Sequence, residues 1–421
     1  MRTEGSFYKK FSCRLCGSSN LKEALKLTPT PPGNNFLREE DLNLVEEIFP
    51  LELYFCEDCK HIQLGHVVEP EFLFQNNYTY VSSTSDVFVE HLKDYANSIS
   101  ERLKLVEKSF VVDIGSNDGT CLSFFKKKQM KILGIDPAKE VSDVANANGI
   151  ETLNEFFCKD IALKIKNKYG KADLITSHNA CAHIDDLRGV IDGVDILMGS
   201  EGIFVMEVGY FLDVFQNKWF DTIYHEHVDF HTVAPLKKLF DSYGMEVFDV
   251  ERITPQGGSI RVMVQRKKGK FLIDESVDKL VDLEAQFGLD KVETFKFFEN
   301  EINSLKKNFK KLLKDLKDSG KTIAAFGAPT KATTLSFHFD INADDVDFIV
   351  DDNPLKQGLY SPGKHIPVLD SSSIYERKPD VLIILAWNFA EDIMFKHKSY
   401  GQEVGTFLIP MPVPRLVDPI N

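Results

Sequence analysis

Two pairs of cysteines constrain the first 80 residues of this chain more than any other feature does. Cys13 and Cys16 form one pair and Cys56 and Cys59 form the other, each with the Cys-x-x-Cys spacing. A turn of this kind places two thiolates side by side, and two such turns supply the four soft ligands of a structural zinc site. A redox disulfide pair is the alternative, but it requires only one such motif inside a thioredoxin-like βαβ unit. We therefore predict a structural zinc ion that has no part in the chemistry.

The rest of the chain alternates between β-strands and helices. Short apolar strands followed by helical segments begin near residue 110, and an antiparallel pair of strands ends the first series. A charged helical connector spans about 275–319, and a second strand-helix series follows it. This alternation is typical of open, doubly wound sheets. We predict an α/β protein with a small N-terminal zinc-binding module (1–80), a first α/β domain (81–270), and the connector with a second, Rossmann-like α/β domain (271–421).

Charge and hydrophobicity exclude some classes of partner. The formal net charge is −14, whereas sequence-independent binding to nucleic acid depends on an excess of Lys and Arg. No run of about 18 uncharged apolar residues offers a membrane span, and the N-terminus lacks the apolar segment of a secretory signal. We expect a cytoplasmic monomer without a membrane or nucleic-acid partner.

An acidic loop follows the first strong strand. The sequence Asp-Ile-Gly-Ser-Asn-Asp-Gly, residues 113–119, precedes a helix but is not the Gly-x-Gly-x-x-Gly fingerprint of dinucleotide sites. Its carboxylates would repel a pyrophosphate, so a ligand with a positive centre and no phosphate, S-adenosylmethionine, fits better. The next strand ends in an Asp about 20 residues further on, where a carboxylate can bind ribose hydroxyls. The candidate cofactor ligands are Asp113, Gly115, Asn117, Asp118, Gly119 and Asp136.

A cluster of titratable groups follows the fifth strand of the first α/β domain. The segment Tyr224-His225-Glu226-His227 lies among aromatic residues at the predicted carboxyl edge of the sheet, where substrates bind in such folds. A single histidine is more often a core residue than a catalyst. Several titratable groups in a row are harder to explain in that way, because each costs several kcal/mol if it is buried without a partner. We predict that this segment lines the substrate pocket.

These motifs resemble those of the sugar C-methyltransferases, which act on nucleotide-linked keto-deoxysugars. The resemblance covers essentially the whole chain. It is carried by both cysteine pairs, the acidic loop, Tyr-His-Glu-His, Gly-Gly-Ser-Ile-Arg at 257–261, Gly-Ala-Pro-Thr-Lys-Ala at 327–332, and Ser-Pro-Gly-Lys-His-Ile-Pro at 361–367. It implies an N-terminal zinc-binding domain, a central class I methyltransferase sheet, and a C-terminal Rossmann-like domain that helps to hold the nucleotide sugar.

The resemblance also assigns roles to particular residues. It implies that His227 is the catalytic base, that Tyr224 and Glu226 are its close partners, and that His183 is a second active-site histidine. Tyr80 resembles a family tyrosine that closes over the substrate.

Other positions match or depart from the family pattern near the substrate. Tyr78 is the alternative register for the closing tyrosine, Lys331 is placed to contact a diphosphate, and Arg261 belongs to a family motif in the presumed pocket. Gln256 stands where family members often have His, and Gly209 stands where a Pro-containing turn is expected. These departures leave the identity of the sugar open.

The predicted reaction is transfer of the methyl group of S-adenosylmethionine to a ring carbon. A carbon beside a ketone becomes nucleophilic when a base removes its proton and an enolate forms, so the site needs a base and a donor for the enolate oxygen. Three alternatives remain at this point: O- or N-methylation of a small metabolite, a nicotinamide oxidoreductase using the second α/β domain, and a zinc-ribbon adaptor whose catalytic domains are inactive.

Overall fold

The N-terminal module is a small antiparallel sheet that the central domain completes. The structure is a computed structural model that describes residues 7–69, 73 and 81–417. The module contains β1 (Phe7–Lys9), β2 (Leu21–Thr30), β3 (Phe49–Cys56), β4 (Ile62–Leu64) and β5 (His66–Val68). The sheet order is β11-β4-β3-β2, and β11 (Asp229–Phe230) lies far along the chain in the central domain. The module is therefore built onto the central domain rather than tethered to it.

The central domain is a seven-stranded, mostly parallel sheet with the order β12-β13-β10-β9-β6-β7-β8. Only β13 runs antiparallel to its neighbours, β10 and β12. This arrangement confirms the predicted class I methyltransferase sheet with an antiparallel pair at one edge. Its strands are β6 (Phe110–Ile114), β7 (Lys131–Ile135), β8 (Thr152–Leu153), β9 (Ala172–His178), β10 (Met198–Gly209), β12 (Met245–Ile253) and β13 (Ser259–Arg266).

Helices cover both faces of this sheet. Alternate residues of β6 belong to different apolar clusters, with Val111 packed on one face and Val112 on the other. A strand that is buried on both faces reads as a continuous apolar run, which is the pattern of parallel sheets. The helices are α1 (Asp86–Leu103), α2 (Thr120–Lys127), α3 (Lys139–Ala147), α4 (Lys159–Tyr169), α5 (Leu187–Leu197), α6 (Phe211–Asn217) and α7 (Val233–Ser242).

The helical connector packs against all three parts of the protein. It consists of α8 (Glu275–Gln286) and α9 (Glu293–Asp318), which are separated near Gly288 as the sequence predicts. The ring of Phe295 in α9 lies 5.7 Å from that of Phe55 in β3 and 5.8 Å from that of Phe211 in α6. Farther along α9, Phe309 lies 5.4 Å from Phe339 of the C-terminal domain. A buried Phe contributes about 1.5–3 kcal/mol, so this helix is a substantial tie between the parts.

The C-terminal domain is a second open sheet with the order β16-β15-β14-β17-β18-β19, and only β19 is antiparallel to its neighbour. The prediction of a Rossmann-like α/β domain is confirmed. The strands are β14 (Ile323–Phe326), β15 (Ile349–Val350), β16 (Val368–Leu369), β17 (Val381–Ile384), β18 (Thr406–Ile409) and β19 (Arg415–Val417). The helices are α10 (Thr330–Phe339), α11 (Ser373–Arg377), α12 (Ala390–Lys396) and α13 (Lys398–Glu403).

The carboxyl ends of the two parallel sheets face a common cavity. Residues that follow β6, β7 and β9 line it from the central sheet, and residues that follow β14, β15 and β17 line it from the C-terminal sheet. Ligands of open α/β sheets bind at these carboxyl ends. In the part of the chain that the structure describes, no helix is both long and apolar enough to cross a membrane.

Candidate active site and zinc centre

The four cysteines converge on one point beside the N-terminal sheet. The Sγ atoms of Cys13 and Cys59 are 3.4 Å apart, those of Cys16 and Cys56 are 3.6 Å apart, and all four lie within 4.8 Å of one another. Zinc–sulfur bonds of about 2.3 Å in a tetrahedron place the sulfur atoms about 3.8 Å apart, so the cluster fits a zinc ion. All four ligand positions are thiolates, which leaves none open for a substrate.

The acidic loop is held in a tight turn at the end of β6. Gly115 has φ +73°, and a Cβ atom there would lie 2.4 Å from the Cβ of Ala180. Asp136, at the end of β7, accepts hydrogen bonds from the backbone amides of Asn117 at 2.8 Å and Ala138 at 2.9 Å. Three of these predicted cofactor ligands, Gly115, Asn117 and Asp136, line the cavity together. The carboxylate of Asp136 therefore fixes the loop on which the cofactor is expected to lie.

Two of the predicted loop residues, Asp118 and Gly119, do not line the cavity. Asp118 accepts hydrogen bonds from the amide of Ser83 at 3.1 Å and from the hydroxyl of Thr120 at 2.7 Å. Gly119 is the N-cap of α2 with φ +78°. Neither residue is among those that line the cavity. Asp118 has a local role, because it holds the chain just before α1 against the loop, and the direct contact of Asp118 and Gly119 with the cofactor stays a prediction.

Asp113 lies beside a buried network of charged groups that the sequence analysis did not predict. Burial raises the pKa of the Asp113 carboxyl to about 7, and nearby His178 opposes the shift. His178 Nδ1 and His91 Nε2 lie 2.9 Å and 2.8 Å from the same oxygen of Glu207. Asp113 and His178 line the cavity, whereas Glu207 lies behind them. The signal in the sequence was weak, since Asp113, His178 and Glu207 are isolated polar residues near the ends of apolar strands and His91 lies in helix α1.

Arg261 belongs to this network and not to the cavity wall. Its Nε donates to Glu207 at 2.6 Å and its Nη1 donates to Glu251 at 2.8 Å. The side chain is buried on the face of the sheet that α1 covers, where its guanidinium lies 4.9 Å from the ring centre of Tyr95, and it does not line the cavity. The structure does not bring Arg261 to the substrate pocket as the resemblance implied, because carboxylates from the two adjacent strands hold its guanidinium under α1.

The cavity itself is large and is lined by all three parts of the protein. Its volume is about 1040 Å³. Pockets for single small ligands span about 300–1,000 Å³, so this one has room for a cofactor and a substrate together. The N-terminal module contributes Asn34, the central domain contributes the Tyr224 segment, and the C-terminal domain contributes Lys331 and Lys356.

His227 and Tyr224 form a hydrogen-bonded pair in the cavity wall. His227 Nδ1 lies 2.9 Å from the carbonyl oxygen of Thr222, and its Nε2 lies 2.8 Å from the hydroxyl oxygen of Tyr224. A carbonyl can only accept, so Nδ1 carries the proton, and in the neutral ring Nε2 is the acceptor for Tyr224. Burial lowers the pKa of His227 to about 4. At neutral pH the ring is therefore uncharged and keeps a lone pair on Nε2.

His183 lies against this pair. Its ring centroid is 4.8 Å from that of His227, with the two rings nearly perpendicular. Burial, together with His227, holds the pKa of His183 well below its usual range. The structure thus brings His183, Tyr224 and His227 together, as the sequence analysis expected.

Glu226, which the resemblance makes a close partner of His227, forms its hydrogen bond with another residue. Both ring nitrogens of His227 have the partners given above, and Glu226 instead accepts a hydrogen bond from the side-chain amide of Asn34 at 2.8 Å. Residues 224–227 form a turn, in which the amide of His227 donates to the carbonyl oxygen of Tyr224 at 2.9 Å, and the side chains of Glu226 and His227 leave this turn toward different partners. Burial raises the pKa of Glu226 to about 7, while Asn34 and Lys356 oppose the shift. The orientation of His227 is supplied by Thr222 and Tyr224.

His225 points the other way, into the N-terminal sheet. Its ring lies 5.6 Å from that of Phe49 in β3, and it is 1% exposed. Burial lowers its pKa to about 4. Of the four titratable residues in Tyr-His-Glu-His, three line the cavity and His225 is a core residue at the contact with the zinc-binding module.

Lys331 lies in the first turn of α10, which follows the loop at the carboxyl end of β14, and its side chain lines the cavity. Its ammonium is 3.4 Å from the ring centre of Trp387 and donates to Asn388 at 2.6 Å. Burial lowers its pKa, and Asp221 opposes the shift. The Trp387 indole donates to Asp221 at 2.7 Å and stacks on Trp219, with ring centroids 4.8 Å apart. These contacts fasten the segment that carries Tyr224 to the C-terminal domain.

The structure leaves two predicted positions undescribed. Tyr78 and Tyr80 lie outside the described residues. Gly209 lines the cavity, and a Cβ atom at this position would have no heavy atom within 4 Å. The residues that sequence reasoning missed include Asn34, His178 and Asn388, which all line the cavity.

Comparison with known proteins identifies the family. Three family models match consecutive parts of the chain: a zinc binding domain at residues 13–74, a methyltransferase domain at 88–250, and a C-methyltransferase C-terminal domain at 254–412. The C-methyltransferase NovU of Streptomyces niveus is 32% identical over 405 residues, which is 96% of each chain. The chain belongs to this C-methyltransferase family.

Solved structures with lower similarity were also found. A SAM-dependent methyltransferase from Anabaena variabilis is 15% identical and matches 45% of this chain and 89% of its own, with a TM-score of 0.36. A SAM-dependent methyltransferase from Clostridium acetobutylicum is 16% identical and matches 44% of this chain and 94% of its own, with a TM-score of 0.35.

Family membership establishes the class of reaction and the cofactors. The protein is a SAM-dependent C-methyltransferase with a zinc-binding N-terminal domain, as the sequence analysis predicted. The cysteine cluster is the zinc site. The residues around Gly115 and Asp136 fit S-adenosylmethionine, because they offer a glycine turn for close approach and an acidic strand end at the carboxyl edge of the sheet.

Proposed function

We propose that this enzyme methylates a ring carbon of a nucleotide-diphosphate-linked keto-deoxysugar through an enolate. The observation that carries the proposal is the Tyr224–His227 pair beside His183 in a cavity shared with the C-terminal sheet. Carbon alkylation needs a base and an oxyanion donor within reach of one substrate. This cluster offers both groups.

The base in this proposal is His227. When the substrate ketone enters, the Tyr224 hydroxyl turns from His227 Nε2 to the ketone oxygen, and the freed lone pair accepts the proton from the adjacent carbon. The C–H electron pair becomes the enolate, whose oxygen is stabilised by the Tyr224 hydroxyl. S-adenosylmethionine, when bound, supplies an electrophilic methyl group. His227 would hold the abstracted proton while the enolate carbon takes up the methyl group and S-adenosylhomocysteine is left as the second product, and it would then release the proton to solvent.

Glu226 supports the protonated state of His227. Both residues line the same cavity, and a carboxylate in a site of low dielectric favours a nearby cation. Because burial raises the pKa of Glu226 to about 7, the carboxylate form dominates only above neutral pH. We therefore expect turnover to increase as Glu226 ionises.

Two lysines are the proposed diphosphate contacts. Lys331 and Lys356 both line the cavity from the C-terminal domain, and both pKa values are lowered by burial. A diphosphate would stabilise the charged form of each ammonium by direct pairing. Lys364 pairs with Asp340 at 3.2 Å instead, which makes it a suitable control position outside the cavity wall.

Hydrogen exchange tests this proposal. In deuterated water and without S-adenosylmethionine, the wild type should exchange the carbon-bound proton beside the ketone of its nucleotide-linked substrate, and His227→Ala should abolish the exchange. O- or N-methylation needs no carbanion, so methyl transfer without any such exchange in the wild type would favour those reactions. Screening thymidine-, guanosine- and cytidine-diphosphate keto sugars identifies the substrate to be used.

A further inference from the structure

A short segment of the N-terminal module enters the active-site cavity. Residues Pro31, Pro32 and Gly33 are buried, and Asn34 lines the cavity. A Cβ atom at Gly33 would lie 2.4 Å from the carbonyl oxygen of Thr330 in the C-terminal domain. The backbone must approach α10 this closely for Asn34 to reach the cavity, so the glycine is required at this position.

The side-chain amide of Asn34 is fixed in one orientation by two partners. The hydroxyl of Thr330 donates to Asn34 Oδ1 at 2.9 Å, and Asn34 Nδ2 donates to Glu226 Oε1 at 2.8 Å. Since the amide oxygen is used by the hydroxyl, the NH₂ group must face the carboxylate. Asn34 therefore connects the C-terminal helix α10 to Glu226 of the central domain.

The hydrogen bond from Asn34 matters for the charge of Glu226, because the nearby lysine donates its own hydrogen bond elsewhere. The Lys356 ammonium attracts Glu226 but donates its hydrogen bond to the carbonyl oxygen of Ala328 at 2.7 Å. Tyr224 and His227 line the same cavity, and His227 is neutral near pH 7. A hydrogen bond to a charged group in such a site has a large effect, because water does not replace it.

We propose that Asn34 is a positioning residue that holds the Glu226 carboxylate toward the cavity, so that the zinc-binding module completes the active site. The inference rests on the proposed function, which gives Glu226 a part in turnover. Asn34 stabilises the carboxylate over the carboxylic acid, so its loss moves the ionisation of Glu226 to higher pH.

The test compares Asn34→Ala with Asn35→Ala in the full-length zinc-loaded enzyme. Asn35 is the exposed neighbour of the same residue type and provides the matched control. For Asn34→Ala, kcat/KM at pH values below neutral should fall roughly ten- to hundred-fold, the range for a hydrogen bond to a charged group, and should approach the wild-type value at alkaline pH. Asn35→Ala should keep the wild-type profile. A uniform loss for Asn34→Ala across the pH range, or no loss, overturns the inference.

Thr330 provides a second variant pair. Thr330→Val removes the hydroxyl that orients the Asn34 amide, so the rise of kcat/KM with pH should move to higher pH, as it does for Asn34→Ala. Thr330→Ser keeps a hydroxyl and should retain most of the wild-type pH profile. Zinc content and affinity for S-adenosylhomocysteine verify that each variant is folded. If both Thr330 variants behave alike, the orienting contact is refuted.

A measurement without turnover separates this inference from the proposed function. The carboxyl band of Glu226 can be identified by infrared difference spectroscopy against Glu226→Gln and followed with pH. If no keto sugar is turned over by the wild type, the proposed function fails, but Asn34→Ala should still raise the pKa of this band. An unchanged pKa refutes the role of Asn34 even if the wild type is active.

Discussion

Gly115 gives a quantitative test of the cofactor loop. Gly115→Ala places a Cβ atom 2.4 Å from the Cβ of Ala180 and puts a non-glycine residue at φ +73°. The left-handed conformation costs an alanine about 1–2 kcal/mol. Overpacking a buried contact costs about 1–3 kcal/mol more. We expect a total cost of roughly 2–5 kcal/mol, the sum of these two ranges.

Two measurements together should recover this cost. If the loop keeps its position, the cost reduces the free energy of unfolding in urea. If the loop moves aside in the free enzyme, the cost appears when S-adenosylhomocysteine binds, as a loss of affinity of about tenfold for each 1.4 kcal/mol. The loss of unfolding free energy, measured in urea, and the loss of binding free energy, measured by isothermal titration calorimetry, should therefore add up to the total cost of roughly 2–5 kcal/mol.

The chain offers a matched control and a rescue. Gly320 has φ +75°, and a Cβ atom there would have nothing within 4 Å of it, so Gly320→Ala should show only the conformational cost. The double variant Gly115→Ala with Ala180→Gly removes the clash and should recover about 1–3 kcal/mol. A summed loss below about 1 kcal/mol for Gly115→Ala, or no recovery in the double variant, would refute this account of the loop.

Three further predictions concern the zinc site, the base and Glu226. Cys56→Ser should remove most of the zinc measured by plasma emission spectrometry and lower the Tm, whereas Cys158→Ser, at an exposed cysteine, should leave the zinc content unchanged; equal zinc in both variants contradicts the assignment. His227→Ala should lower kcat by about 10²–10⁴-fold while affinity for S-adenosylhomocysteine is retained, and normal turnover would exclude His227 as the base. Because burial raises the pKa of Glu226 to about 7, the folded state binds its proton more tightly than the unfolded chain does, and this group lowers stability as pH rises toward about 7. Glu226→Gln should therefore flatten the decline of the urea unfolding free energy over this pH range, and an unchanged slope would show that the group is not buried as described.

Much of the fold could be predicted from local patterns. The strand-helix alternation, the antiparallel pair and the break near Gly288 were predicted correctly because apolar periodicity and glycine positions determine them locally. The pairing of β11 with β4 could not be predicted, since it joins residues far apart in the chain and each strand is only two or three residues long.

The site was predictable as a set of residues but not as a set of contacts. The sequence placed Tyr224, His183 and His227 in one pocket through the family resemblance. It could not show that Asp118 bonds to the backbone before α1, or that Arg261 is held by two carboxylates, because both depend on tertiary neighbours. Asn34 carried no signal at all, since its function depends on the close approach of Gly33 to another domain.

The central claim is that the methyl group is transferred to carbon. Wild-type enzyme can be supplied with S-adenosylmethionine carrying a ¹³C-labelled methyl group and with the nucleotide-linked keto sugar that it accepts, and the product examined by NMR. The account predicts that the labelled methyl correlates through one bond with a sugar ring carbon, and that His227→Ala yields no such product. A labelled methyl bonded to oxygen or nitrogen in the product would contradict it.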